Sequence, residues 1–90
     1  MDRLQALEVF VAVAEHRGFA AAGRALGLSA PAVTRAVAGL EAHLGARLFR
    51  RTTRSVDLTE AGARFHGDAR RLLAELAEAE RAAVGLHAAP

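Results

Sequence analysis

The pattern of apolar positions predicts helices in the first half of the chain. Residues 2–16 predict a first helix, because apolar side chains recur every three or four residues, at Leu4, Leu7, Val11 and Ala14, with Phe10 beside them. Residues 20–26 predict a short second helix that ends at Gly27 and shows three apolar side chains to the core: Ala22, Ala25 and Leu26.

The signals for a third helix are the strongest in the sequence. Ser29 is a favourable N-cap, Pro31 lies in the first turn where its missing N–H costs nothing, and Gly45 is a stop signal. The predicted buried stripe consists of Val33, Val37, Leu40 and Leu44. The opposite face carries small side chains and one charge, at Ala30, Thr34, Arg35 and Ala38, so this helix could approach another surface closely.

The period of the pattern changes at residue 48. Residues 48–50 and 56–58 are short strand-like runs, and the polar segment 51–55 between them is typical of a turn, so the sequence predicts a two-stranded hairpin. Thr59 then predicts an N-cap for a fourth helix that begins at Glu60 and extends to about residue 86.

The fourth helix carries a heptad pattern that predicts a dimer. Its apolar residues are spaced alternately by four and three, at Phe65, Ala69, Leu72, Leu76, Ala79, Ala83 and Leu86. A domain of this size cannot cover a helix of that length, so a partner helix from a second copy is the simplest cover, in a twofold-symmetric dimer. The alternative is that the pattern packs on its own domain or on a C-terminal part absent from the sequence.

Length and composition limit the class of protein. Ninety residues make one small domain with an appendage, and a core of this size would gain stability from a partner. The absence of Cys excludes a disulfide framework and a thiolate nucleophile. The sequence contains neither a membrane-spanning run nor a signal peptide, so we expect a soluble cytoplasmic protein without membrane association.

The net charge of +2 conceals an asymmetry. Residues 1–55 contain eight Arg against four acidic residues, whereas residues 56–90 contain four Arg against six. The absence of Lys, together with the abundance of Ala and Arg, could reflect the nucleotide composition of the source genome, but that does not explain four Arg within the acid-free segment 47–54. This cluster indicates binding to a polyanion.

Catalysis finds little support in the sequence. The four His are scattered without metal-ligand spacing, the eight Gly occur singly, and a P-loop is excluded because there is no Lys. We therefore expect no enzyme activity, no metal and no cofactor.

The features that are present suit DNA binding. A short helix, a turn at Gly27 and a capped helix with small side chains on one face predict a helix-turn-helix, with the Arg-bearing hairpin as a wing.

A second hypothesis comes from another class of protein. The long fourth helix could be the working surface of a protein-interaction module, with the basic loop serving only for solubility. A salt-dependent gel shift on random DNA would separate the two hypotheses.

Several motifs resemble the N-terminal domain of LysR-type transcriptional regulators. They are Ala25-Leu26-Gly27-Leu28-Ser29, Pro31-Ala32-Val33-Thr34-Arg35, Leu40-Glu41, Leu44-Gly45, Leu48-Phe49-Arg50-Arg51 and Leu58-Thr59-Glu60-Ala61-Gly62. The resemblance implies a mostly α fold: a winged helix-turn-helix of three helices and a two-stranded β-wing in residues 1–58, a long dimerising linker helix in residues 59–87, and a tail at 88–90. It also implies that an effector-binding domain is missing, so that the chain is an isolated DNA-binding domain.

The resemblance also implies site residues. The contacts to double-stranded DNA would fall on the recognition helix and the wing, at Ser29, Ala30, Pro31, Thr34, Arg35, Arg51 and Arg54. The homodimer contacts would fall on Phe65, Ala69, Leu72, Leu76, Ala79 and Ala83. Three residues depart from the family pattern: Ala30 stands where Gln is frequent and can offer only apolar contact, Ala20 replaces a capping Ser or Thr, and Gly23 replaces the Ala usual at a close helix crossing.

Overall fold

The computed structural model describes residues 2–88, and their side chains through residue 85. The helices and strands follow one another along the chain in the order α1 (Arg3–His16), α2 (Phe19–Leu26), α3 (Ala30–Leu44), β1 (Phe49–Arg51), β2 (Val56–Leu58) and α4 (Glu60–Ala88). The predicted fold class is confirmed: three packed helices, an antiparallel two-stranded wing and a long final helix. Of the predicted tail, Ala88 ends α4 and residues 89–90 lie outside the described residues. The division at residue 58 stays a prediction.

The helix ends follow the local signals. Ser29 Oγ accepts a hydrogen bond from the Ala32 amide at 3.2 Å, as an N-cap does. Gly27 and Gly45 end α2 and α3 with φ of 71° and 68°, a left-handed conformation that glycine adopts without steric cost. The N-cap of α2 is Gly18, not residue 20, and no side chain caps this helix.

The four phenylalanines form one connected cluster that joins both ends of the chain. The Phe10 ring lies 5.3 Å from the rings of both Phe49 and Phe65, measured between centroids, and Phe49 lies 6.0 Å from Phe19. Phe10 and Phe49 are almost completely buried. Because these rings come from α1, α2, β1 and α4, the cluster fixes the wing and the start of α4 on the helical domain.

The buried faces of α1 and α2 differ from the prediction. The core residues of α1 are Ala6, Val9, Phe10, Ala12 and Val13, whereas Leu4 is 45% exposed. Leu7, Val11 and Ala14 of the predicted stripe are partly buried and pack against this core, because α1 is covered by α2, α3 and α4 together. In α2 and α3, Ala25, Leu26 and Leu44 are exposed although the sequence predicted them buried.

Two glycines permit close backbone approach. A Cβ on Gly62 in α4 would lie 2.0 Å from the carbonyl oxygen of Leu48, and one on Gly23 would lie 2.6 Å from that of Leu28. A Cβ on Gly23 would also lie 3.5 Å from Cγ2 of Val33 in α3, so this glycine allows α2 to pack closely on both the turn and α3.

Candidate nucleic-acid interface

The exposed face of α3 is the first part of the candidate DNA-binding surface. All five predicted contact residues of this helix are exposed: Ser29, Ala30, Pro31, Thr34 and Arg35. Val33, Val37 and Leu40 are buried on the opposite side, so packing against the core fixes which face points outward.

An open groove of about 530 Å³ lies between α1 and α3, and Arg35 and His43 are among the residues that line it. In this groove, Arg3 Nη2 lies 3.3 Å from His43 Nδ1.

The wing is the second part of the surface. β1 pairs with β2 in the register Phe49 with Leu58 and Arg51 with Val56. β1 begins one residue later than predicted, so Arg51 is the last residue of a strand rather than part of the turn. Both predicted wing residues, Arg51 and Arg54, are exposed.

The turn of the wing is ordered by Thr52. The Thr52 amide donates to the Ser55 carbonyl at 2.9 Å, and Thr52 Oγ1 accepts from the amides of Arg54 and Ser55 at 3.2 and 3.0 Å. These bonds fix the backbone that carries the Arg54 side chain. Arg54 is therefore held in an ordered turn and is exposed.

Arg51 lies against the start of α2. Its guanidinium carbon is 4.3 Å from the centroid of the Phe19 ring, which is a cation–π contact. Phe19 is the first residue of α2 and is half-buried against the core. This contact was not predicted, because the two residues are far apart along the chain.

Glu41 attaches the wing to α3 and was not predicted as a site residue. Its Oε2 accepts hydrogen bonds from the amides of Leu48 and Phe49 at 2.7 and 3.4 Å and lies 3.5 Å from Nε of Arg47. The Glu41 side chain is only 10% exposed. Glu41 belongs to the Leu40-Glu41 motif of the family resemblance, but the periodic pattern did not indicate its role, because its partners lie seven and eight residues further along the chain.

The arginines divide into two groups. Five have a carboxylate within ion-pair distance: Arg47, Arg64, Arg70, Arg71 and Arg81. Among the described residues, the other seven have none, and all lie before residue 55: Arg3, Arg17, Arg24, Arg35, Arg50, Arg51 and Arg54. The helical domain and wing therefore carry uncompensated positive charge, whereas the charges of α4 are mostly paired.

The predicted interface on α4 separates into two parts. Ala69 is fully buried in the core of its own domain, and Phe65 packs on Phe10, so Ala69 has no surface left for a partner, contrary to the prediction. The heptad pattern was misleading here because the first three turns of α4 pack against the helical domain. Further along, Leu72 and Leu76 are 51% and 37% exposed, and Ala79 and Ala83 are also exposed. The side chain of Leu86 lies outside the described residues.

Arg70 of α4 forms an ion pair with Glu15 of α1, and His66 lies close to the same carboxylate without a hydrogen bond to it. Arg70 Nε lies 3.3 Å from Glu15 Oε2, and His66 Nε2 lies 3.9 Å from the same oxygen. The His66 ring packs edge-on against Phe10 with centroids 6.2 Å apart. These contacts hold the direction in which α4 leaves the domain.

Residues 2–88 contain no helix long and apolar enough to cross a bilayer. Within the same part of the chain, no three His, Cys, Asp or Glu side chains lie close enough together to hold a metal ion.

Three helices followed by a two-stranded wing define a winged helix-turn-helix domain, and comparison with known proteins gives its family. Residues 4–63 match the family described as "Bacterial regulatory helix-turn-helix protein, lysR family". An HTH-type transcriptional regulator of Xanthomonas campestris pv. campestris (strain 8004) is 49% identical over 82 residues, which is 91% of this chain and 24% of that protein. The chain belongs to the LysR family, and it spans about a quarter of the length of that relative.

Solved structures of similar domains have the same fold. The crystal structure of the BenM_DBD/catB site 1 DNA complex matches with a TM-score of 0.94 and 30% identity, over 100% of this chain and 99% of that one. The crystal structure of the CbnR_DBD–DNA complex matches with a TM-score of 0.88 and 38% identity, over 97% and 99%. The long final helix is part of both alignments, since each covers nearly the whole chain.

Proposed function

We propose that the chain binds double-stranded DNA sequence-specifically as the DNA-binding domain of a bacterial, cytoplasmic transcriptional regulator. The observation that carries the proposal is the exposed face of α3, which combines small side chains with Arg35, whose guanidinium has no carboxylate partner among the described residues. The proposal is further supported by the BenM_DBD and CbnR_DBD structures, which are DNA complexes of similar domains.

In this proposal α3 is the recognition helix in the major groove. The outer face of this helix carries short side chains, at Ala30, Thr34 and Ala38. The helix backbone can therefore come close to base edges. Arg35 can donate two parallel hydrogen bonds to guanine, and the Thr34 hydroxyl can donate or accept. Ala30 offers only a methyl group, which suits the methyl of thymine.

The wing supplies contacts that do not depend on sequence. Arg51 and Arg54 would reach phosphates or the adjacent minor groove, where the negative potential attracts guanidinium groups. Since neither has a carboxylate partner among the described residues, their charges are available to DNA. Each phosphate contact releases counterions and makes binding more salt-dependent.

The test is selection of bound duplexes from a random pool, followed by affinity measurements on the selected site. Arg35→Ala should cost about 1–3 kcal/mol and relax specificity at one position. Arg54→Ala should weaken binding on all sequences and reduce the slope of log K against log salt by about one. Arg81→Ala is the matched control, because Arg81 pairs with Glu78 at 2.7 Å near the end of α4.

The recognition helix would be assigned wrongly if Arg35→Ala changed affinity by less than a few tenths of a kcal/mol and Thr34→Val were also silent. Failure of the wild-type domain to bind any duplex, at low as well as physiological salt, would favour the protein-interaction module instead.

The domain would act as a homodimer through α4. The exposed seam Leu72, Leu76, Ala79 and Ala83 extends one face of the helix beyond the helical domain, and burying such a face against a second copy is favourable. A twofold dimer would present two recognition helices to two half-sites. In the intact regulator, an effector-binding domain would follow α4, as the greater length of the curated relative suggests.

Sedimentation tests the dimer. Leu72→Asp with Leu76→Asp should give a monomer, because both charges would be buried in the interface. Ala74→Asp is the control, since this exposed residue lies on the opposite side of the same helix. A double variant that still sediments as a dimer would exclude the seam as the interface.

A further inference from the structure

The contact between Arg51 and Phe19 has a geometry that suits phosphate binding. A guanidinium group has five N–H donors, and in Arg51 the group lies over the Phe19 ring with no carboxylate partner among the described residues. An ion pair with a carboxylate would instead occupy some of these donors and neutralise the charge. Arg47 shows that alternative in this chain, with its Nε directed at Glu41.

We propose that Phe19 is a positioning residue for DNA binding: its ring holds the Arg51 guanidinium in place, with its N–H groups free for a backbone phosphate. The proposal rests on the function proposed above and adds to it a residue outside the recognition helix and the wing. Phe19 can act in this way because its own position is fixed. Its ring is half-buried, follows directly on Gly18 at the start of α2, and packs edge-on against the buried ring of Phe49.

The physical effect is preorganisation. Arg has one of the largest side-chain entropies, and ordering such a side chain at an interface costs about 0.5–1.5 kcal/mol. In the free domain, the ring of Phe19 already restricts Arg51, so less of this entropy is lost when the phosphate binds. Removal of the ring face should therefore weaken DNA binding about two- to tenfold, which is that cost converted to affinity.

The test is a double-mutant cycle on the dimeric domain with a selected duplex. Phe19→Leu keeps an apolar side chain against Phe49 but removes the aromatic face, whereas Phe19→Tyr keeps the face and is the matched control. We expect Phe19→Leu to weaken binding two- to tenfold in the wild-type background and to have no effect in an Arg51→Ala background. Phe19→Tyr should bind like the wild type. In NMR spectra, the ring current of Phe19 should shift the side-chain protons of Arg51. These chemical shifts should return toward random-coil values in Phe19→Leu but not in Phe19→Tyr.

If the thermal unfolding curve shows that Phe19→Leu does not fold, the contact is tested by a substitution of Arg51 instead. Arg51→Lys retains the charge but not the planar group, so it should weaken binding while leaving the salt slope unchanged. An equal effect of Phe19→Leu in both backgrounds would overturn the proposal, because Phe19 would then act only through the fold. The proposal would also be overturned if Arg51→Ala left the affinity for the duplex unchanged while Arg35→Ala lowered it. That result would not contradict the proposed function. Absence of duplex binding by the wild type would instead remove the proposed function.

Discussion

Glu41 should be one of the most sensitive positions for stability, although it is charged and close to the surface. Its carboxylate accepts the amides of Leu48 and Phe49, and the side chain is 10% exposed. Glu41→Ala leaves both amides without this acceptor, and a hydrogen bond to a charged group contributes about 1.5–3 kcal/mol. The ion pair with Arg47 adds little, because the Arg47 side chain is 69% exposed.

We therefore expect Glu41→Ala to lower the free energy of unfolding by about 2–3 kcal/mol, and Glu41→Gln by about half as much, since its amide oxygen still accepts but carries no charge. The assay is urea unfolding followed by circular dichroism at one fixed protein concentration, because the proposed dimer would make stability depend on concentration. Glu75→Ala is the control: Glu75 is 66% exposed, lies 3.9 Å from Arg71, and its loss should cost a few tenths of a kcal/mol. A Glu41→Ala protein within about 0.5 kcal/mol of wild type would refute the reasoning that this carboxylate holds the wing on α3.

Two further predictions concern backbone contacts. Gly62→Ala should destabilise the domain by about 1–3 kcal/mol, because its Cβ would overlap the Leu48 carbonyl. Gly67→Ala, in the same helix with nothing within 4 Å of the added Cβ, should instead stabilise by up to about 1 kcal/mol; equal effects of the two in thermal unfolding would contradict the close approach at Gly62. Ser29→Ala should cost about 1 kcal/mol through loss of the cap on α3, and Ser29→Gly only a few tenths. Matching losses for the two Ser29 variants would argue against the cap.

The candidate DNA-binding surface was largely predictable because α3 is specified by local signals. Ser29, Pro31 and Gly45 set its ends, and the apolar spacing between them fixes its buried face at Val33 and Val37. The remaining face then had to be exposed. For α1, which lies in the middle of the domain, this reasoning was only partly right: the predicted Leu7 and Val11 do pack on the core, but α2, α3 and α4 together also bury Val9 and Val13.

The amino-acid sequence by itself determined the order of helices and strands, the exposed face of α3 and the asymmetry of charge, because capping, periodicity and composition act over a few neighbouring residues. The tertiary structure decided the rest: the assignment of Ala69 to the core, the attachment of the wing by Glu41, and the cation–π contact of Arg51 with Phe19. Each of these depends on contacts between separate elements of the fold. Such contacts leave no periodic trace in a single sequence, since the distance between two side chains is set by how the elements pack.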